Sequence, residues 1–177
     1  QDELVEVPFD IPDNWVWSKL LDVLDVRDGT HDTPKYVDVG FPLVTSKNLN
    51  NGAIDFSTTK NISEQDLNNI NLRSKVDEGD ILFAMIGSIG NPVQVRNIER
   101  PFAIKKMALF KSQNTAINME YVYYFLMISQ DEMKKSASGA VQAFVSLNYL
   151  RNYYISIPPL AEQNRIVAKI NEIFAML

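Results

Sequence analysis

The sequence predicts a mixed α+β body, built on a twisted mixed sheet with flanking helices, followed by a protruding C-terminal helix of coiled-coil type. Three stretches carry that prediction. Ile81-Leu82-Phe83-Ala84-Met85-Ile86 is a continuous apolar run, as expected of a strand covered on both faces. Met119 to Lys135 places apolar residues at helical spacing and ends on Lys134-Lys135, which favours a helix C-terminus. After the alternating Ile155-Ser156-Ile157, the pair Pro158-Pro159 stops any strand, and an uninterrupted helical pattern follows. There Ile166, Ile170, Ile173 and Leu177 recur at steps of four, three and four, while Leu160, Val167 and Phe174 widen the stripe at sevenfold spacing. The prolines therefore divide the chain into a body over residues 1–157 and a helical appendage over 158–177. From Ala161 onward that rod is about 25 Å long. With no breaker before its last residue and Gln1 at its start, the chain is expected to be excised from a longer one.

Composition narrows the chemistry. A length of 177 residues with 46% apolar character suffices for one core, and no apolar run approaches the roughly 20 residues of a membrane span. The opening Gln1-Asp2-Glu3-Leu4-Val5-Glu6 is acidic where a secretory leader is basic, so a cytoplasmic location is expected. Without cysteine there is no disulfide, thiol catalysis or thiolate-bound zinc. The net charge of −5 opposes phosphate binding, but it is unevenly spread. Residues 1–34 hold nine acids against two bases, whereas residues 35–151 hold eleven acids against thirteen bases.

In chain order, Ile11-Pro12-Asp13-Asn14 is a turn, and Trp15 and Trp17 fall on one face of the strand it opens, as core residues. Arg27 to Tyr36 is a polar loop holding the only histidine, His31, between Asp28 and Asp32. Those three side chains could hold a metal or act in acid–base catalysis, but a second histidine or a nucleophile is missing. Hydroxyls, a lysine and a tyrosine suit the loop better to hydrogen-bonding a phosphodiester backbone, or to closing a turn on itself. Phe41 to Thr45 reads as a strand leading into Ser46-Lys47-Asn48, with a tight turn at Asn50-Asn51-Gly52 forming a hairpin. Ser63 caps a helix whose apolar face carries Leu67, Ile70 and Leu72. Gly87-Ser88-Ile89-Gly90 closes the apolar strand and lacks the Gly-Lys-Ser/Thr ending of a phosphate-binding loop. Phe102 to Lys111 reads as a second long strand, with Lys105 and Lys106 on opposite faces. On the 119–135 helix the buried face is read as Tyr121, Tyr124, Phe125 and Ile128, and Ser136 to Gln142 follows as a small-residue loop.

Four motifs in this order resemble the DNA-specificity subunit of type I restriction-modification systems. They are Ile11-Pro12-Asp13-Asn14-Trp15, Asp28-Gly29-Thr30-His31-Asp32-Thr33-Pro34, Gly79-Asp80-Ile81-Leu82-Phe83 with Gly87-Ser88-Ile89-Gly90, and Pro158-Pro159-Leu160-Ala161-Glu162-Gln163-Asn164-Arg165-Ile166. The resemblance implies one target-recognition domain (1–157) and the start of a spacer helix (158–177). Such a domain reads half of a bipartite target in double-stranded DNA for separate methyltransferase and restriction subunits, without catalysis, cofactor or metal of its own. Lys35, Lys47 and Lys105 or Lys106 are the expected phosphate partners, and Thr33, Tyr36, Ser46, Asn48 and Gln142 the expected contacts to base edges or sugar. Leu160, Ile166, Val167, Ile170, Ile173, Phe174 and Leu177 are expected to face a second recognition domain, a copy of the chain, or the methyltransferase. Three other readings are a metal-dependent hydrolase or nuclease at Asp28, His31 and Asp32, a protein-interaction domain working through the helix, and the recognition domain of another class of restriction-modification enzyme.

Overall fold

The computed structural model describes residues 7–137 and 143–176. After the Pro12 turn come β1 (Val16–Lys19), a single helical turn α1 (Leu20–Val23) and β2 (Leu24–Asp28). A first irregular region carries β3 (Tyr36–Val37), β4 (Phe41–Val44), the hairpin β5 (Leu49–Asn50) and β6 (Ala53–Ile54), and β7 (Lys60–Ile62). Then follow α2 (Glu64–Ser74), β8 (Ile81–Ala84), β9 (Gly90–Gln94), β10 (Ala103–Ile104) and β11 (Met107–Ser112). The chain ends on α3 (Met119–Lys135), α4 (Leu147–Asn152), β12 (Tyr154–Ile157) and α5 (Leu160–Phe174).

The mixed α+β architecture and the C-terminal helix are present, with the sheet divided in two. One sheet has the order β2-β11-β8-β9 and is antiparallel throughout; the other, β10-β4-β7-β3, is mixed, with β10 and β4 parallel. The division corrects the expectation of one long strand over Phe102–Lys111. Lys106 has φ of 53°, a left-handed conformation no strand continues through, so Ala103–Ile104 pairs with β4 while Met107 onward pairs with β2 and β8. Lys105 and Lys106 are thus the hinge between two sheets, rather than opposite faces of one strand.

Both sides of the antiparallel sheet are covered, which explains the apolar run that forms β8. Ile81 and Phe83 face a core shared with Leu20, Phe110, Val122, Leu126 and Met133; Leu82 and Ala84, with Met107 and Leu109 of their own sheet, face Val44 and Ile104 of the other. Phe83 meets Phe110 edge-on at 6.3 Å. A smaller cluster of Leu43, Ile62, Leu67 and Ala103 fixes α2 to the mixed sheet. The Ser63 hydroxyl caps α2 by accepting from the Asp66 N–H at 3.1 Å. Two assignments of helix faces need correction. Leu72 is 86% exposed and Ile128 is 79% exposed, because the sheet receives Leu67 from α2 and Val122, Leu126 and Met133 from α3.

β12 pairs antiparallel with β1, tying the C-terminal part of the body to its entry. Trp15 and Trp17 are half-buried there, and Trp17 packs edge-on against Phe9 at 4.8 Å. Beyond Pro159, α5 lies beside the start of α3. Gln163 is fully buried: its Oε1 accepts from the Asn118 N–H at 2.8 Å, and its Nε2 donates to the carbonyls of Pro158 at 2.9 Å and Ala116 at 3.1 Å. Val167 is buried and Ile166 and Ile170 half-buried, but Leu160, Ile173, Phe174 and Met176 stay exposed. The helix is docked along its middle and open at its end; Leu177 lies outside the described residues. No helix among the described residues is long and apolar enough to cross a membrane.

Candidate nucleic-acid interface

Strand direction in the mixed sheet assembles the basic site. β4 and β10 run parallel, so the residues that follow them, Ser46-Lys47 and Lys105-Lys106, leave the sheet at the same end. β7 runs the other way and begins at that end with Lys60 opposite Leu43. Four lysines therefore converge on one rim: Lys47, Lys60 and Lys106 are exposed, and Lys105 is half-buried. The Lys105 N–H donates to the Val44 carbonyl at 2.9 Å, which locks the two outgoing segments side by side.

The Asp28–Tyr36 loop packs against this rim through Gly29 and Thr30. The Gly29 N–H donates to Met107 O, the Thr30 N–H to Ile104 O (both 3.0 Å), and the Lys106 N–H to Thr30 O at 3.1 Å. A Cβ on Gly29 would stand 2.3 Å from the Ile104 carbonyl oxygen, so this approach requires glycine. The loop then brings Thr33 beside Lys105, whose Nζ donates to the Thr33 hydroxyl. Between loop and α2 lies a polar cleft of about 370 Å³, lined among others by Asp28, Thr33, Asp66, Asn69 and Arg73.

Thr33, Ser46, Lys47, Lys105 and Lys106 thus share one rim. Lys35 and Tyr36 are exposed but sit toward the other end of the mixed sheet, where Tyr36 and Phe41 flank Ile62. Asn48 cannot offer a base its amide. It is 3% exposed, its oxygen accepts from the Thr45 N–H at 2.9 Å and hydroxyl at 3.0 Å, and its nitrogen donates to Asp55 O at 3.1 Å and the Thr58 hydroxyl at 3.0 Å. Asn48 ties the connection after β4 to the segment returning from the hairpin. Gln142 lies outside the described residues.

Asp28, His31 and Asp32 do not assemble as a metal centre: among the described residues no group of three or more histidines, cysteines or acids is placed to hold a metal ion. Asp28 is buried and spends both oxygens on neighbours, one on His31 Nε2 at 2.6 Å and the other in an ion pair with Arg73. Asp32 is exposed. Sequence reasoning missed Lys60 and Arg73. Neither has a local signal, because each reaches the site only through pairing with a residue distant in sequence.

The fold is shared with a solved specificity subunit. The HsdS subunit from Thermoanaerobacter tengcongensis superposes with a TM-score of 0.73 at 20% identity, covering 97% of this chain and 40% of that one. A family model described as the type I restriction modification DNA specificity domain matches residues 12–176, and this chain belongs to that family. Its curated relatives include the type I restriction enzyme EcoBI specificity subunit of Escherichia coli, 24% identical over 174 residues, and the MjaVIII specificity subunit of Methanocaldococcus jannaschii, 24% identical over 172 residues. Each match covers 93% of this chain but only 36% and 40% of the respective relative.

Proposed function

We propose that residues 1–157 are one target-recognition domain of a type I specificity subunit and that residues 158–177 begin its spacer helix. In this reading the chain is a non-catalytic reader of one half of a bipartite duplex target, and separate methyltransferase and restriction subunits carry out the chemistry in the cytoplasm. The observation that carries it is the convergence of Lys47, Lys60, Lys105 and Lys106 on one end of the mixed sheet. Three of these ammonium groups are solvent-exposed on a rigid rim, as a phosphodiester contact needs, although the whole chain is acidic. Thr33 and Ser46 stand at the same rim to reach sugar or base edges, and Lys35 and Tyr36 extend the contact along the sheet. The exposed Leu160, Ile173 and Phe174 on α5 are the surface for the spacer's partner, whether a second recognition domain, a copy of this one, or the methyltransferase.

The test is to place this domain in a full-length specificity subunit, assemble it with its modification subunit, and map the adenines methylated. A new half-site on this domain's side, with the other half and the spacing retained, is expected. Methylation at the recipient's unchanged target would refute the recognition role. The second reading, a protein-interaction domain acting through α5, draws support from the exposed Ile173, Phe174 and Met176 and requires that unchanged result with assembly intact.

A further inference from the structure

Arg73 is held in a way that the fold alone does not require. It sits in the last turn of α2, and two consecutive residues at the end of β2 hold it. Arg27 Nη1 donates to the Arg73 carbonyl at 2.8 Å, fixing the backbone, while the Asp28 carboxylate pairs with the Arg73 Nη2, fixing the side chain. Arg27 and Asp28 are themselves paired with Leu109 and Ala108 of β11, so the grip is anchored to the antiparallel sheet at the end of its edge strand. The Asp28 side chain is 6% exposed, yet the Arg73 side chain it holds is 64% exposed. Among the described residues Nε and Nη1 of Arg73 have no hydrogen-bond partner, and Arg73 lines the same cleft as Thr33, the residue that Lys105 contacts.

A flexible surface arginine loses most of its conformational freedom when it binds; one already held by a buried carboxylate has lost part of it beforehand. A held guanidinium still has one complete fork, because Nη2 keeps a second hydrogen beside that of Nε or Nη1, and such a fork suits the paired O6 and N7 acceptors of guanine in the major groove better than phosphate oxygens, which a mobile lysine follows equally well. We propose that Arg73 is a base-reading residue for a guanine in the half-site and that Asp28, through Arg73, is its positioning residue. The proposal rests on the DNA-recognition reading above and adds to it the class of base edge read and the residue that reads it.

The experiment uses the assembled methyltransferase carrying this domain, once its half-site has been mapped, and replaces guanines of that half-site singly by 7-deazaguanine, which lacks the N7 acceptor. One replacement is expected to lower wild-type affinity about 5-fold, the low end of the range for a bidentate base contact, because O6 is retained. Arg73→Lys, which keeps the charge and its pairing with Asp28, is expected to lose guanine preference at that position alone and to become indifferent to the 7-deaza replacement. Asp28→Asn is expected to weaken the same preference without moving it to another position. Insensitivity of the wild type to every 7-deazaguanine overturns the assignment, and needs no variant to fold. So does an Arg73→Lys protein with unaltered preference at every position, which would make Arg73 a phosphate contact or a tie between helix and sheet. A domain that fails to redirect methylation at all would instead count against the recognition role itself.

Discussion

Replacing Lys47, Lys60, Lys105 and Lys106 together by glutamine removes four charges from one rim while leaving the packed interior unchanged. Glutamine is chosen because Lys106 has φ of 53°, where both side chains bear the same left-handed strain and the backbone term cancels. Each phosphate neutralised contributes about 0.9 to the slope of log affinity against log salt, so four contacts are worth a slope of about 3.6. Across a fourfold change in salt that amounts to about 150-fold in affinity. Lys105 is expected to contribute least, since it is half-buried and its Nζ already donates to Thr33. The assay is a salt titration of duplex binding by the assembled methyltransferase, wild type against the quadruple variant and each single variant. A slope reduced by two to four, with the methylated sequence retained, is expected. An unchanged slope would show that the rim does not touch phosphate, whatever the domain recognises.

Three further outcomes follow from the packing. Asn48→Ala leaves the Asp55 carbonyl and Thr45 N–H without their partner and is expected to cost about 2–4 kcal/mol by denaturant unfolding, with the methylated sequence unchanged, as befits a buried tie. Gln163→Ala unpairs Asn118, Ala116 and Pro158 between α3 and α5; it is expected to cost about 2–4 kcal/mol and to raise hydrogen exchange across α5 before the sheets respond. Asp77 and Asp80 share Lys111 but shift oppositely. Hydrogen bonds from Lys75 and Lys111 hold Asp77 below the usual aspartate range, whereas burial, outweighing the same lysine, pushes Asp80 above it. As pH falls through the lowered range Asp77 protonates later than in the unfolded chain, and stability is lost. Asp80 protonates earlier in the folded state, at pH above the usual aspartate value, and stability is gained. Unfolding followed against pH should therefore show a flatter acid limb for Asp77→Asn and a steeper one for Asp80→Asn; the reverse order would contradict the burial of Asp80.

What was legible in the sequence had local causes. The Ile81–Ile86 run marks a strand covered on both faces, and β8 is one; the cap at Ser63 and the period from Met119 to Lys135 give α2 and α3 their extents. The division of the sheet had no such cause. The apolar stretches on either side of Lys105-Lys106 read as one strand interrupted by a charged pair, and nothing local marks Lys106 as the left-handed residue at which the chain passes from one sheet to the other. On α3 the apolar residues go around most of the helix, so periodicity alone could not say which side meets the sheet. Val122 and Leu126 do, while Tyr124 and Phe125 turn toward an aromatic groove with Trp17 and Ile170. The site shows the same contrast. The Asp28–Pro34 loop advertised itself by composition, and Lys47 and Lys105 by their charge. Lys60 became a neighbour of Lys47 and Lys105 only through the register of β7 on β4, and Arg73 a neighbour of Thr33 only through its ion pair with Asp28.

Directed cleavage tests most directly whether the lysine rim faces DNA. The sequence has no cysteine, so in a specificity subunit made cysteine-free elsewhere, Ser46→Cys gives a unique attachment point for an iron chelate at the rim, and Ile128→Cys gives one on the exposed side of α3. In the assembled methyltransferase on its target duplex, the chelate at position 46 is expected to cut within the half-site this domain reads, and the chelate at 128 to leave that half-site intact. Cutting from 128 with none from 46 would place DNA on the opposite surface and contradict the account.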